Sequence, residues 1–253
     1  QAESGNVDIV AADDAEALAK ARELISVLPS NNENTGVICE CDDDLNRITA
    51  GLGTHVKDTA VALREISDNN WFLELKADCA KEMVIGLIRL NGAIVGAVAN
   101  RSEILGEDGK AAKKFDSVLT MAGAYKAAHF VNLCDSFSIP VLTLTSVTGF
   151  ASSVGEERSI ARALAQLTSA FVSATVPKVN LIVGKAYGSA YITMNSKHIG
   201  ADLVFAYSDA EIGMMDAKLA AEIIYDGKDA ATISEKAGEY AALQNNPVAA
   251  AKR

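Results

Sequence analysis

The sequence predicts an α/β layered fold, and three features of the chain support that prediction. Two strand-like runs, residues 84–90 and 93–99, are joined by Asn91-Gly92, the pair preferred in a tight type I′ hairpin turn. Both runs are almost entirely apolar, which is typical of a sheet that is covered on both faces. After the hairpin, strand-like and helix-like segments alternate toward the end of the chain, as they do in α/β folds.

The first predicted helix begins at Asp13, whose side chain can cap it while Glu16, three residues later, can complete a capping box. Apolar residues at helical spacing follow, and Pro29 ends the pattern. The next few residues are polar and predict a loop or linker. We therefore expect residues 1–35 to form a linker helix and tether, and residues 36–253 to form the main domain.

The remaining predicted elements follow in chain order. Predicted helices cover residues 57–67, 118–137, 156–173 and 190–197, and a helix-rich tail covers residues 217–250. Predicted strands are short apolar runs at residues 141–145, 179–183 and 203–205. Two further segments predict a loop (residues 100–114) and a turn (residues 149–152).

Composition and charge argue against several classes of function. The formal net charge is −10 and no basic face is visible, so a nucleic-acid partner is not expected. No apolar run approaches the length of a membrane span, and no secretory signal is visible at the start. The four cysteines are too unevenly spaced for a disulfide framework, and Cys39-x-Cys41 lacks the further ligands of a zinc site. We therefore expect reduced thiols, a cytoplasmic location and no metal.

Residues 178–191 are the most informative stretch of the chain. A short apolar run rich in β-branched residues is followed by Gly188, Ser189 and Ala190, and then by a predicted helix. Small residues at that point leave the backbone N–H groups at the helix start accessible, and such a turn can hold negative charge. If the turn is catalytic, its main-chain amides are the working groups. Spacing alone fits a tight strand-to-helix connection without a ligand equally well.

A series of ordered motifs runs through residues 121–225. They include KAA at 126–128, CDSF at 134–137, IPVLTL at 139–144, ATVPK at 174–178, KAYGSAY at 185–191, SKHIGAD at 196–202 and AEII at 221–224. Together they resemble the C-terminal half of the carboxyltransferase subunits of biotin-dependent acyl-CoA carboxylases and decarboxylases, of the propionyl-CoA, methylmalonyl-CoA and glutaconyl-CoA type. The resemblance implies a crotonase-like (ClpP/crotonase) fold, a spiral of β-β-α units.

The same resemblance implies an enzyme that transfers a carboxyl group between biotin and the α-carbon of an acyl-CoA substrate. Biotin would be carried by a biotin carboxyl carrier protein and not be attached to this chain. Family members have two crotonase-like halves, and the N-terminal half, which binds acyl-CoA, would be absent here. The chain would then be an excised domain or one half of a split subunit, incomplete by itself. Expected partners are that missing half, in a homodimer or hetero-oligomer, and in a decarboxylase a membrane subunit.

The resemblance also assigns roles to the turn after the strand at residues 179–183. The N–H groups of Ser189 and Ala190 would form an oxyanion hole for the ureido oxygen of biotin and are the expected catalytic groups. Gly188 and Lys185 are the expected contacts to biotin. For Lys185, which could meet a carboxylate, the alternative is that it only caps the end of the strand.

Two more expectations concern residues around this turn. Gly149 and Phe150 match a family loop that shapes the biotin pocket, although neighbouring residues depart from the family's Asp and Pro pattern. Ile192 stands where many family members have an acidic residue near the acyl group, which implies a substrate contact with a changed acyl preference. The alternative for Ile192 is packing at the start of a helix.

Two other functions stay open at this point. A stand-alone crotonase-like hydratase or isomerase acting on CoA esters needs acid/base carboxylates beside the turn, and residues 188–195 contain none. A non-catalytic module that dimerises and docks the biotin carrier fits the missing half. Neither the acyl-CoA nor the direction of transfer can be read from the sequence.

Overall fold

The computed structural model of this protein describes the chain except for nine residues. The described residues are 2–31, 33–34, 37–44, 46–49, 52–106 and 108–252. The predicted boundary between residues 35 and 36 lies outside them, so the division into a tether and a domain stays a prediction. Within the described ranges, no helix combines the length and the apolar character that a membrane crossing requires.

The described strands and helices are numbered separately in chain order. The strands are β1 (Phe72–Leu75), β2 (Met83–Leu90), β3 (Ala93–Asn100), β4 (Glu103–Leu105), β5 (Ala111–Lys114), β6 (Val118–Leu119), β7 (Val141–Val147), β8 (Gly149–Phe150), β9 (Lys178–Tyr187), β10 (Leu203–Ala206) and β11 (Glu211–Gly213). The helices are α1 (Asp14–Val27), α2 (Leu52–His55), α3 (Thr59–Ile66), α4 (Met121–Ser136), α5 (Val154–Glu157), α6 (Ile160–Ser173), α7 (Gly188–Thr193), α8 (Ala217–Ile224), α9 (Ala230–Tyr240) and α10 (Pro247–Ala251).

Seven of the described strands form one mixed sheet in the order β1-β2-β3-β7-β9-β10, with β11 also paired to β9. Strand β2 is antiparallel to both of its neighbours, β1 and β3. The pairs β3–β7, β7–β9, β9–β10 and β9–β11 are parallel. The hairpin turn is confirmed, because Asn91 and Gly92 both have positive φ angles (53° and 78°), as a type I′ turn requires.

The sheet is buried on two faces by different helices. Alternate residues of β3 point to opposite sides, so Val98 belongs to one core cluster and Ala97 and Ala99 to another. The larger cluster includes buried residues of α4 and α6, such as Phe130 and Leu167. The smaller cluster is covered by α3, and the prediction of a sheet buried on both faces is therefore confirmed at the hairpin.

Helix α1 is capped as predicted and packs onto the rest of the molecule. The Asp13 side chain accepts a hydrogen bond from the Glu16 N–H, 2.8 Å away. The Glu16 carboxylate in turn accepts from the N–H of Ala12, one residue before the N-cap, at 2.7 Å. At the far end of the helix Val27 is fully buried in the larger core cluster.

Several predicted boundaries were wrong, among them the end of the strand before the predicted turn. Strand β9 runs from Lys178 to Tyr187, beyond its predicted end at residue 183. Gly184 lies inside it because β7 passes close by: a Cβ there would lie 2.6 Å from Ser146 Oγ.

Other corrections are local. The predicted helix 190–197 is α7 followed by a 3₁₀ turn at Lys197–Ile199. The predicted helix 156–173 is divided into α5 and α6. Residues 118–119, which were predicted to be helical, form β6. Helix α4 begins later, at Met121, because the Thr120 side chain caps its N-terminus. The predicted loop 100–114 contains the short β4–β5 pair, and the predicted turn at residue 149 contains β8.

Candidate functional site

A cleft of about 490 Å³ lies at the end of the sheet where β7 and β9 finish. Three segments line it: residues 148–150 after β7, residues 187–190 at the start of α7, and residues 214–216 before α8 together with Leu219 in its first turn. Strands β7 and β9 are neighbouring parallel strands, so the segments that follow them emerge at the same edge of the sheet. Strand β11 adds the third segment, because Gly213 pairs with Tyr187 at the end of β9.

The cleft brings together five of the predicted site residues: Gly149, Phe150, Gly188, Ser189 and Ala190. The sequence reasoning missed the third wall, which consists of Met214, Met215, Asp216 and Leu219. One signal could have indicated part of it. An Asp followed by a periodic apolar segment is typical of a helix N-cap, and Asp216 has that place before α8.

The backbone at Gly188 requires glycine for two reasons. Its φ angle is 55°, in the left-handed region that side chains disfavour. A Cβ atom at this position would also lie 3.0 Å from the carbonyl oxygen of Met214, on the opposite wall. Gly188 therefore permits both the turn out of β9 and the close approach of the third wall.

The N-terminus of α7 has open hydrogen-bond donors. The first N–H groups of a helix have no partner within the helix and carry its partial positive charge. Among the described residues, the side chain of the N-cap residue Tyr187 makes no capping hydrogen bond. Ser189 and Ala190 are the second and third residues of α7, and both line the cleft. Their N–H groups are thus suited to bind an oxygen with negative charge.

Helix α8 begins at the same cleft, but its first donors are occupied. The Asp216 carboxylate accepts hydrogen bonds from the N–H groups of Lys218 (2.9 Å) and Leu219 (3.4 Å). Its other oxygen lies 3.3 Å from Lys185 Nζ, which is also 3.8 Å from the Glu211 carboxylate. Burial acts to raise the pKa of Asp216, but the hydrogen bonds from Lys185, Lys218 and Leu219 outweigh it and hold the pKa below its ordinary value.

Asp216 is a carboxylate within the cleft, which bears on acid/base chemistry. A carboxylate with a lowered pKa that is bonded to a cation and to two N–H groups is a poor general base and a poor acid near neutral pH. The Tyr187 hydroxyl, on the cleft wall, donates a short hydrogen bond to Glu211. Burial, followed by the bond to Glu211, raises the pKa of Tyr187 well above its ordinary value. Neither group fits the acid/base pair that a hydratase or isomerase requires.

Two predicted residues lie outside the cleft lining among the described residues. Lys185 is next to the cleft, with its ammonium group held between Asp216 and Glu211. Ile192, on α7, has 37% of its surface exposed. Over the described part of the chain, no group of three or more His, Cys, Asp or Glu side chains is arranged to hold a metal ion.

Comparison with known proteins gives consistent matches along the chain. Residues 1–253 match the family described as the carboxyl transferase domain. The chain is 37% identical to the propionyl-CoA carboxylase beta chain of Roseobacter denitrificans, over 99% of this chain and 49% of that protein. It is 36% identical to the methylmalonyl-CoA decarboxylase subunit alpha of Propionigenium modestum, over 99% of this chain and 49% of that protein.

Among solved structures, the fold superposes on the transcarboxylase 12S crystal structure with hydrolysed methylmalonyl-coenzyme A bound. The TM-score is 0.87 at 36% sequence identity, and the match covers 100% of this chain and 49% of that one. This likeness confirms the predicted α/β, crotonase-like fold class. The chain spans about half the length of the curated relatives it matches.

Proposed function

Because this chain belongs to the carboxyl transferase family, we propose that it supplies the biotin side of a biotin-dependent acyl-CoA carboxyl transferase. The observation that supports this role most directly is the uncapped N-terminus of α7 within the cleft. There the N–H groups of Ser189 and Ala190 would hold the ureido oxygen of biotin and would stabilise negative charge on it. Loss of one such donor costs roughly 3–4 kcal/mol of transition-state stabilisation in other enzymes.

The cleft fits biotin in size and in the chemistry of its walls. Biotin combines a polar ureido group with an apolar ring and arm, and a cleft of about 490 Å³ falls within the usual range for ligand sites. Phe150, Met214 and Leu219 supply apolar side chains to the same cleft as the open amides, and Met214 is 74% exposed. When bound, biotin supplies the nitrogen that carries the carboxyl group and accepts the proton of the substrate.

In this proposal the residues of this chain bind and orient biotin. Gly188 permits the turn that presents the two amides, and Phe150 and Leu219 bound the space beside them. Lys185 neutralises Asp216, so that the carboxylate on the third wall repels a bound anion less. In this proposal Lys185 does not make the direct contact to biotin that the sequence predicted, but acts on it electrostatically through Asp216.

Binding of the acyl-CoA substrate is assigned to a separate carboxyl transferase half, as the resemblance implied. We propose a dimer or hetero-oligomer with that half and a biotin carboxyl carrier protein as a further partner. The transcarboxylase 12S relative is described as a hexamer in a multienzyme core. The relatives act on propionyl-CoA and methylmalonyl-CoA, so short acyl-CoA esters are the proposed substrates. The cytoplasmic location stays a prediction.

Ile192 is proposed as a determinant of acyl preference, since its side chain is partly exposed at the end of α7 away from the amides. Ile192→Asp is expected to change the ratio of rates with propionyl-CoA and a longer acyl-CoA. An unchanged ratio would indicate that Ile192 serves only in packing.

The amide assignment is tested by a matched pair of substitutions at one position. Ser189→Pro removes the N–H of the second residue of α7, which has no hydrogen-bond partner within the helix. Ser189→Ala keeps the N–H and removes only the hydroxyl. The assay measures carboxyl transfer with this chain, an acyl-CoA-binding half and biocytin. The kcat of Ser189→Pro is expected to fall about 10²–10³-fold, and the kcat of Ser189→Ala to stay within about threefold of the wild type.

Three results would count against the proposal in different ways. No transfer by the wild-type assembly would remove the enzymatic function and favour the docking module. Equal transfer by Ser189→Pro and the wild type would remove the amide at position 189 from the mechanism. A loss in Ser189→Ala as large as in Ser189→Pro would assign the role to the hydroxyl instead.

A further inference from the structure

A group of buried polar residues lies beneath the C-terminal end of α7. Thr143 and Thr145 on β7, Asn180 on β9, and Asn195 just after α7 are all fully buried. Strands in the middle of a parallel sheet are normally apolar, and a buried polar group destabilises the fold unless it is hydrogen-bonded. Four such residues in one place therefore call for a structural reason.

Their hydrogen bonds converge on the end of α7. Asn180 Nδ2 donates to the carbonyl oxygen of Met194, the C-cap residue of the helix, at 3.1 Å. The Thr145 hydroxyl donates to Asn180 Oδ1 at 2.8 Å and lies 3.4 Å from the same Met194 oxygen. The Asn180 side chain is thereby fixed in orientation by β7 while it holds a backbone group of α7.

Asn195 forms a second link between the same elements. Its Nδ2 donates to Thr143 Oγ1 at 2.9 Å and to the carbonyl oxygen of Val179 at 3.3 Å. Its backbone has a φ angle of 50°, a conformation that Asn adopts more readily than most residues. The chain therefore leaves α7 in a fixed direction, held by both β7 and β9.

Helix α7 is consequently fixed at both ends to the same pair of strands. Its N-terminus continues directly from Tyr187, the last residue of β9, and its C-terminus is held by side chains of β7 and β9. The helix has six residues and is roughly 9 Å long, so a shift or tilt at Met194 is transmitted to the first turn. A misplacement of about 1 Å in a catalytic group can lower a rate by about 100-fold.

We propose that Asn180, oriented by Thr145, is a positioning residue that sets the direction of the Ser189 and Ala190 N–H groups. The inference rests on the proposed oxyanion role of those amides. Asn180 touches no reacting atom in this account, because it acts through the Met194 carbonyl at the opposite end of α7. An apolar residue of similar size at position 180 would remove the hydrogen bond to the Met194 carbonyl and leave the Asn195 bonds to β7 and β9 as the remaining link.

The test compares Asn180→Leu with a core variant of equal stability loss. Leu63→Ala, on α3 and against the opposite face of the sheet, serves as that control, with the melting temperatures measured for both. In the assembled transferase, Asn180→Leu is expected to lower kcat about 10–100-fold with KM for biocytin within about threefold. The control is expected to keep kcat within about twofold at a temperature where both variants are folded.

A second pair keeps the test informative if Asn180→Leu does not fold. Thr145→Val removes the hydroxyl that orients Asn180 and preserves the shape of the side chain, whereas Thr145→Ser keeps the hydroxyl. Thr145→Val is expected to lower kcat about threefold to tenfold, and Thr145→Ser to stay near the wild-type value. Equal kcat values for these two variants would overturn the proposal.

Order parameters of the Ser189 and Ala190 amides, measured by ¹⁵N relaxation without substrate, separate this inference from the proposed function. They are expected to fall from about 0.85 in the wild type to below about 0.7 in Asn180→Leu or Thr145→Val, and to stay unchanged in Leu63→Ala. Unchanged order parameters in the first two variants overturn the positioning role whatever the activity. A wild type that is rigid at these amides but inactive counts against the proposed function alone.

Discussion

Helices α7 and α8 both begin at the cleft, but among the described residues only α8 has a side-chain cap on its first N–H groups. Asp216 occupies the start of α8 as an anion that the protein itself provides. Gly188 begins α7 with no side chain, and the amides that follow stay open. Two helix starts of the same kind thus differ in whether they can accept an anion from outside.

The comparison also explains why Lys185 is placed beside the cleft and not within its lining. A carboxylate at the start of α8 would weaken anion binding at the start of α7 if it were left unpaired. Lys185 lies 3.3 Å from Asp216 and reduces that repulsion. Asp216 on the third wall and Lys185 beside the cleft therefore make an open α7 compatible with a capped α8.

Closing the open helix start is expected to have the largest effect. Gly188→Ala adds a Cβ at a φ angle of 55° and 3.0 Å from the Met214 oxygen, so the turn or the third wall must move. Carboxyl transfer is expected to fall about 100-fold. The control is Gly227→Ala, which has a φ angle of 78° and open space around the added atom.

The two glycine variants separate backbone strain from closure of the cleft. Both are expected to lose about 1 kcal/mol of unfolding free energy, because a non-glycine residue in the left-handed region is strained. Only Gly188→Ala is expected to lose transfer. Similar transfer by Gly188→Ala and Gly227→Ala would show that the geometry of this turn is not limiting.

Removal of the side-chain cap of α8 is expected to have an intermediate effect. Asp216→Ala should destabilise the protein by about 1 kcal/mol, the usual cost of losing an N-cap side chain. It also removes one of the two carboxylates that pair with Lys185 and frees the first N–H donors of α8, so sulfate should inhibit transfer at a concentration several-fold lower. Asp229→Ala removes the cap of α9, away from the cleft, and should show the same stability loss in urea unfolding without the change in inhibition. Identical inhibition of both variants would contradict the comparison.

The smallest expected effect is a dependence of stability on pH. The folded-state pKa of Asp216 lies below its ordinary value, so the ionised carboxylate stabilises the protein at pH values above the unfolded-state pKa of about 3.9. That contribution is lost as the pH falls through the lower, folded-state pKa. Asp216→Asn should therefore be less stable than the wild type near neutral pH, by at most about 1 kcal/mol, with the difference disappearing in acid. The unfolding free energies of both proteins are measured by urea titration at a series of pH values. A difference between them that grows toward acid pH would contradict this assignment.

The sequence predicted the open helix start better than its surroundings. The Asn91-Gly92 turn and the small residues at 188–190 are local signals, and the structure confirms the hairpin and the strand-to-helix turn. The third wall depends on β11, a three-residue strand whose position is set by pairing with the end of β9 and not by a periodic pattern of its own. Long-range pairing of this kind leaves little trace in a single sequence.

The hydrogen bonds that hold the C-terminal end of α7 could not be predicted, for a different reason. The sequence pattern predicts a short apolar strand at residues 179–183 and gives no sign of a role for the polar Asn180 within it. Its partners are distant in the chain: Thr145 is 35 residues before it, and Met194 is 14 residues after it. Only the packing of β7, β9 and α7 shows that this residue completes a hydrogen-bonded group.

The central claim is that biotin binds the open amides of α7 and not the capped amides of α8, and an NMR titration tests it directly. Biocytin is added to ¹⁵N-labelled protein, and the amide resonances of Ser189 and Ala190 are compared with those of Lys218 and Leu219. The account predicts that the first pair shifts in a saturable manner, while the second pair, already bonded to Asp216, shifts far less. Equal shifts at both helix starts, or shifts confined to α8, would contradict it.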